Sequence, residues 1–366
     1  MSVTFNRKLR KFFKKPGVFV RDALINKYPL LLNQCNVNSL TENIIFNAEF
    51  DFNSPFKPSC RIDAVFTWVS SNDVSWRNKK DAFLTNDGEF ELYATEDSRY
   101  VSHNEIYYSI LSVLKHMPWI ATIYIVTDNQ MPELPAWFFN KVKIVDHKSI
   151  IPHAYLPTFN SHVIEAYLHK IPGLSENFIY FNDDFFVARE IDSSHFFRSN
   201  GHASLFASSK SIADMNAKGR KTATLSACNN VNKLFGEKIN VNFDRALTHT
   251  YVPLKKEYYN IAFELFGEHI YSFSKNKFRS VNDLNLATFL VPYLQYFYGD
   301  SSPNIDISVY FNIRSPAARS FYNYLLIAQA EGNLPHSFCA NDFSSKEFSG
   351  DDYRSTLNDF LTSFYK

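Results

Sequence analysis

The sequence predicts an α/β fold built on a mostly parallel sheet with helices on both faces, and three observations carry that prediction. Four short apolar runs, at residues 62–69, 122–126, 142–145 and 178–181, lack polar alternation, as strands covered on both faces do. Residues with helical spacing fill the intervals at 103–116 and 161–169, giving the strand–helix alternation of a doubly wound sheet. The chain is 45% hydrophobic and 20% charged, with 36 Phe and 21 Tyr, enough ring volume for a large core in its 366 residues.

Taken in order, residues 4–15 (TFNRKLRKFFKK) form a short helix with Phe5, Leu9, Phe12 and Phe13 on one face, and Pro16 ends it. Eight Lys or Arg and one Asp lie between residues 7 and 27. The pattern fits a helix lying on an anionic membrane surface, or a solvated basic tail. Residues 33–60 are rich in Asn, Ser and Pro and read as a linker. The sheet follows, and a helical addition occupies roughly 210–300, with helices near 253–266 and 282–298. Residues 307–314 (ISVYFNIR) read as a late strand; 315–331 and 345–365 read as helices. The organisation expected is a membrane-associating segment over 1–32, the linker, and one catalytic domain over 61–366.

Net charge is +1, so a general attraction to nucleic acid is not indicated. Cys35, Cys60, Cys228 and Cys339 make no CxxC pair or zinc framework, as in a reducing cytosol. The first 30 residues lack the apolar core of a secretory signal, and no run of about 18 apolar residues exists.

The strongest local signal is FIYFNDD (178–184), where Asp183 and Asp184 follow a buried strand. That end of an open α/β sheet binds ligands, and paired carboxylates there suit Mg²⁺ or Mn²⁺. A solvated acidic turn is the plain alternative. IDAVFTWVSSND (62–73) places Thr67 and Trp68 at the end of the first strand, near a nucleotide or simply in the core. Asn160 and Ser161 are placed to cap a helix, whose free N–H groups suit a phosphate; His162 beside them reads as structural. Farther along, His249 has the residue type for a general base, and Arg279 that for a cation on a transferring phosphoryl group.

Together these segments resemble the Stealth family of sugar-phosphate transferases, which includes bacterial capsule phosphotransferases. Its four regions look like residues 62–76, 99–190, 249–290 and 334–342 here (the last LPHSFCAND). KLRKFFKKPGVFVRD and YFNIRSPAARSFYNYLL look like the meningococcal-type capsule polymerases that make hexosamine-1-phosphate chains. The resemblance implies a GT-A-like, Rossmann-like core, and Asp183, Asp184 and Asp342 as metal or phosphate-handling residues. It implies His249 and Arg279 in the active site, with Thr67 and Trp68 at the nucleotide end.

The implied reaction moves a sugar-1-phosphate from a UDP-sugar, a UDP-N-acetylhexosamine by the resemblance, to a hydroxyl of a growing oligosaccharide or polysaccharide, releasing UMP. Ordinary glycosyl transfer releasing UDP, or a non-catalytic scaffold of a polysaccharide assembly, are the alternatives. The expected place is the cytoplasm, against the anionic inner face of the cytoplasmic membrane. Four positions depart from the family pattern: Ser70, Tyr107, Leu111 and Asn229 stand where acidic, amide or basic residues are usual.

Overall fold

The structure, a computed structural model, describes residues 12–13, 16–29, 31, 33–49, 57–84, 94, 99–220, 222–342 and 352–366. The helix expected over 4–15 lies outside these residues except for Phe12 and Phe13. Phe12 and Phe13 are helical, and Pro16 opens the helix α1, Pro16–Lys27. A proline suits the first turn, whose N–H groups have no partner inside the helix. The stretch expected as a linker holds a second helix, α2 (Ser39–Ala48), capped by Asn38, whose side chain accepts from the Thr41 N–H.

Strand β1 (Ile62–Thr67) opens the core. Helices α3 (Val74–Asp81) and α4 (Glu105–His116) lead to β2 (Ile123–Thr127) and β3 (Val142–Asp146). After α5 (Ser161–Ala166) comes β4 (Asn177–Asn182). Asp183 and Asp184 alone separate it from β5 (Phe185–Val187). Short strands β6 (Ala203–Leu205), β7 (Ala207–Ser211) and β8 (Arg245–Leu247) follow, with α6 (Ile212–Ala217) and α7 (Ala223–Ile239) between the last two. β9 (Val252–Lys255) runs straight into α8 (Lys256–Phe273). Then come α9 (Val291–Phe297), β10 (Ser301–Pro303), β11 (Ser308–Asn312), α10 (Ala318–Glu331), β12 (Ser337–Asn341) and α11 (Tyr353–Phe364).

The main sheet has the order β3-β2-β1-β4-β9, with the first four strands parallel and β9 antiparallel on the edge. Both faces are covered, as the apolar runs predict. Ala64, Phe66, Ile123 and Ile179 pack with Ile106, Ile110 and Val113 of α4 on one face. Val65, Tyr124, Phe178 and Tyr180 pack with residues of α5, α7, α8 and α9 on the other. A second sheet, β11-β12-β5, rests on α10 and α11 through Phe186, Phe311, Phe338, Leu357 and Phe360. The chain therefore passes from the main sheet to the second across Asp183 and Asp184. Among the described residues, no helix is long and apolar enough to cross a membrane.

Candidate active site

The carboxyl ends of β1, β4 and β12 converge on the two aspartates. The Asp184 Oδ2 accepts from the Asn341 amide at 2.8 Å and from the Cys339 thiol at 3.3 Å, both side chains belonging to β12. Its Oδ1 is buried and has no hydrogen-bond partner among the described residues. Such an oxygen is costly to leave bare, and a divalent cation would satisfy it. Burial pushes the Asp183 carboxyl well above the usual range, and the neighbouring Asp184 and Glu105 charges push it further. Glu105, buried at the start of α4, is raised as well, by burial first, while His103 opposes the rise. Three crowded carboxyl groups with one bare oxygen fit a Mg²⁺ or Mn²⁺ ion.

Basic side chains surround this acidic centre. The His103 Nε2 lies 2.8 Å from the Asp342 Oδ2, and the Arg314 Nη2 donates to the same oxygen at 2.9 Å. The Arg314 Nε donates to Asp342 Oδ1. Burial alone would raise the Asp342 pKa, but His103 and Arg314 lower it. Both Asp342 oxygens are thus engaged by the Arg314 guanidinium, which sets this residue apart from the Asp183–Asp184 pair. Lys210 on β7 stands 5.9 Å from the Tyr310 ring centroid. Tyr310 in turn donates to Asn341, the residue that holds Asp184.

The His249 ring stands edge-on to Phe185 at 5.0 Å and to Tyr310 at 5.3 Å. Desolvation lowers its pKa, Lys210 and Arg279 lower it further, and Asp184 opposes them. The imidazole is therefore neutral at pH 7, the form that accepts a proton. Its backbone is clamped by one side chain: the Gln34 Oε1 accepts from the His249 N–H at 2.8 Å, and the Gln34 amide donates to the His249 carbonyl at 3.2 Å.

Arg279 donates to the Ser161 Oγ through Nη2 at 2.6 Å and through Nε at 3.2 Å. Buried Glu165 lies beside Ser161, Tyr180 and Arg279, and burial raises its pKa. The Thr67 hydroxyl is 3.0 Å from that of Tyr180, which donates to the Asn182 Oδ1 at 2.7 Å. A continuous polar wall thus runs from the end of β1 to the end of β4.

A sequence profile of Stealth protein conserved region 2 matches residues 99–205. A capsular polysaccharide phosphotransferase of Actinobacillus pleuropneumoniae is 47% identical over 367 residues, 99% of this chain and 99% of that protein. The chain belongs to the Stealth family. The capsular polysaccharide phosphotransferase LcbA of Neisseria meningitidis is 45% identical over 98% of this chain and 100% of its own length. Among solved structures, the glycosyltransferase GlyE of Streptococcus pneumoniae matches 83% of this chain and 62% of its own, at 10% identity and a TM-score of 0.34.

In this Stealth protein the residues expected in the site divide into two groups. Asp183, Asp184, His249 and Arg279 come together around one centre, and Thr67 and Ser161 stand in its wall. Trp68 is instead buried in the core under α4, its indole N–H directed at Ser102. Asn160 is fully buried, capping α5 and donating to Asp283 and the Phe278 carbonyl, so it has no free group for a ligand. His162 bonds the same Asp283, the structural role expected of it.

The departures from the family pattern have local partners. Ser70 pairs through its backbone with the Gln130 amide, Tyr107 stacks on Phe138, Leu111 packs in the core, and Asn229 exchanges two hydrogen bonds with Asn216. Basic side chains reach the site from His103, Lys210 and Arg314, which the sequence reading did not single out. A basic residue beside a strand is an ordinary surface pattern until the fold turns it inward.

Proposed function

We propose that the chain transfers a sugar-1-phosphate from a UDP-sugar to a glycan hydroxyl, forming a phosphodiester and releasing UMP. The observation that carries the proposal is the pairing of a bare, buried Asp184 oxygen with a neutral His249 and the Arg279 guanidinium around one centre. Asp183 and Asp184 would hold a divalent cation, Mg²⁺ or Mn²⁺, which supplies charge neutralisation at the diphosphate. Asp342 takes another part: it holds His103 and Arg314 in place beside the site.

The acceptor oxygen attacks the phosphorus attached to the sugar, and the bond from that phosphorus to the UMP oxygen breaks. The acceptor proton passes to His249 and then to solvent. Arg279, held by Ser161, faces the equatorial oxygens, where its planar fork matches the developing charge. Thr67 and the end of β1 face the nucleotide. The relatives' names, capsular polysaccharide phosphotransferases, support the same reading.

The protein would work at the cytoplasmic face of the membrane. Support comes from the basic start of the chain and the exposed Phe13, Val20, Leu24 and Tyr28 around α1.

Nucleotide chromatography and phosphorus NMR of the product test the reaction. UMP formed in step with a phosphorus-containing polymer is expected, with UDP-N-acetylhexosamines as the first donors to try. UDP with a phosphorus-free glycan would replace phosphoryl transfer by glycosyl transfer.

A further inference from the structure

A second cleft, distinct from the catalytic one, lies on the flank of the sheet beyond its β3 edge. It is open, has a volume of ≈ 590 Å³, and is formed by the turns after β3, the turn after α5 and one side of α8. Residues around it include Lys148, His153, Lys170, Asn260 and the rings of Tyr167, His169, Phe263 and Tyr271, and none of its lining residues is acidic. Lys148, Lys170 and Tyr271 are exposed.

The rings make a continuous wall. Tyr271 lies 5.6 Å from Phe263, which lies 5.6 Å from Tyr167 and 5.2 Å from His169. The Phe263–Tyr271 contact depends on a break in α8. Phe266 leaves helical geometry, with φ −128° and ψ 16°. In a straight helix, positions eight apart are separated by about 12 Å along the axis. The kink thus folds Tyr271 back towards Phe263, and leaves Tyr271 half-exposed at the cleft. Its floor is polar as well. His169 is buried and stacked on Tyr259, and burial, then Lys170 and Lys256, lower its pKa to about 3, so the imidazole is neutral.

Ring faces beside exposed lysines match a ligand of pyranose rings carrying phosphates: C–H faces pack on the aromatics, and anionic oxygens meet the ammonium groups. We propose that this cleft is a second glycan site that holds a segment of the phosphodiester-linked polymer, with sugar rings on Phe263 and Tyr271 and backbone phosphates on Lys148 and Lys170. The ring half stands on this geometry alone; the phosphate half rests on the proposed reaction.

The two clefts share structure. The loop that follows α8 carries Arg279, and Lys277 in that loop donates to the carbonyls of Tyr155 and Leu156, next to the His153 turn that walls the second cleft. Three strand spacings of the main sheet separate β3 from β4, about 14 Å, a span that a few sugar-phosphate repeats cover. A chain growing at the aspartates would lie across this flank.

The test uses the full chain, without donor, and two probes: a phosphodiester-linked N-acetylglucosamine-1-phosphate octamer and neutral maltooctaose. Titration calorimetry should give octamer binding that weakens with salt. The charge-reversing double variant Lys148→Glu/Lys170→Glu should weaken it about tenfold, leaving maltooctaose unchanged. Tyr271→Ala should weaken both probes. With donor present, the same variants should raise KM for an eight-repeat acceptor and leave a one-repeat acceptor unaffected, with melting curves like wild type. No octamer binding by the wild type, equal binding by the variants, or loss of one-repeat and eight-repeat turnover alike would overturn the site. So would a preference of the same lysines for anionic vesicles over the octamer. Because binding is read without turnover, UDP as the reaction product would sink the phosphoryl-transfer reading and leave this result standing on its own.

Discussion

Asp184 and His249 owe their chemistry to what surrounds them. Asp184 keeps one oxygen bare, and burial and its neighbours' charges raise the pKa of Asp183 well above the usual carboxylate range. Asp183→Asn should lower turnover by a factor of at least about 10³, as loss of a metal clamp does, and EDTA should abolish activity until Mg²⁺ or Mn²⁺ is restored. The same substitution should raise the melting temperature of the metal-free protein at pH 7. A carboxyl whose folded pKa is raised costs stability as pH rises from its ordinary value through the folded one, and asparagine removes that cost. Calorimetry in EDTA checks the sign; an unchanged or lower melting temperature would contradict the crowding. His249→Ala should cut transfer by about 10²–10⁴-fold while donor binding persists, and Arg279→Lys should be impaired despite keeping its charge. Gln34→Ala should lower kcat about tenfold without weakening the donor, because a misplaced base loses proximity; an equal rise in KM would instead indicate a general loosening. Asp183, Asp184, His249 and Arg279 were legible because each combines a reactive residue type with a strand end or a family motif. Gln34 was not: a glutamine inside an Asn- and Ser-rich stretch carries no signal until the fold lays it against a histidine 215 positions away.

At the scale of elements, the long apolar strands were readable, and the short ones were not. β1, β2 and β4 are buried runs and β3 is a half-buried edge strand, all with the expected bounds within a residue or two. β5, β6, β8 and β10 are three residues long, too short for a periodicity to emerge, and β7 (ASSKS) is polar throughout but for one alanine. β9 was hidden in the predicted helix over 253–266, because the strand passes into α8 without a turn. Helix α2 was missed for a different reason: none of its residues is buried, and what fixes its end is the polar residue that follows it. Glu49 binds the His195 Nδ1 at 2.9 Å, the His336 Nε2 at 2.8 Å and the Arg189 Nη2 at 3.1 Å. His195 also bonds Asp306 through Nε2 at 2.9 Å, and Tyr251 donates to that same Asp306 oxygen. With a carboxylate on each nitrogen, His195 is an imidazolium. Burial opposes the charge, but Glu49 and Asp306 prevail and raise its pKa to about 9. His336 is neutral, its Nδ1 accepting from the Ile307 N–H. The folded pKa of His195 exceeds the ordinary 6.5, so its stabilisation is complete below that value and is lost as pH rises through about 9. The shift corresponds to roughly 3 kcal/mol. Urea titrations should show stability falling across pH 6.5–9, with a flatter profile in Glu49→Gln; parallel profiles would rule out the imidazolium.

For the whole molecule, the two-sheet architecture places one reaction centre at a seam. Removing residues 1–16 should yield a folded, active protein that no longer pellets with anionic vesicles. Binding by the intact chain should weaken with salt, and equal pelleting by the shortened form would exclude the membrane role. Removing residues 1–49 should abolish both folding and activity, since Gln34 and Glu49 go with it. The seam also bears on how such a protein can be altered. Only two residues join β4 of one sheet to β5 of the other, and both are the site's carboxylates. There is no slack in that joint. The Tyr365 hydroxyl, next to the last residue, donates to the Val187 carbonyl at the far end of β5 at 2.8 Å. A bulky fusion placed directly after Lys366 would therefore pull on the strand that begins at the aspartates. A loss of metal binding in a rear-tagged preparation would be a mechanical artefact of the seam.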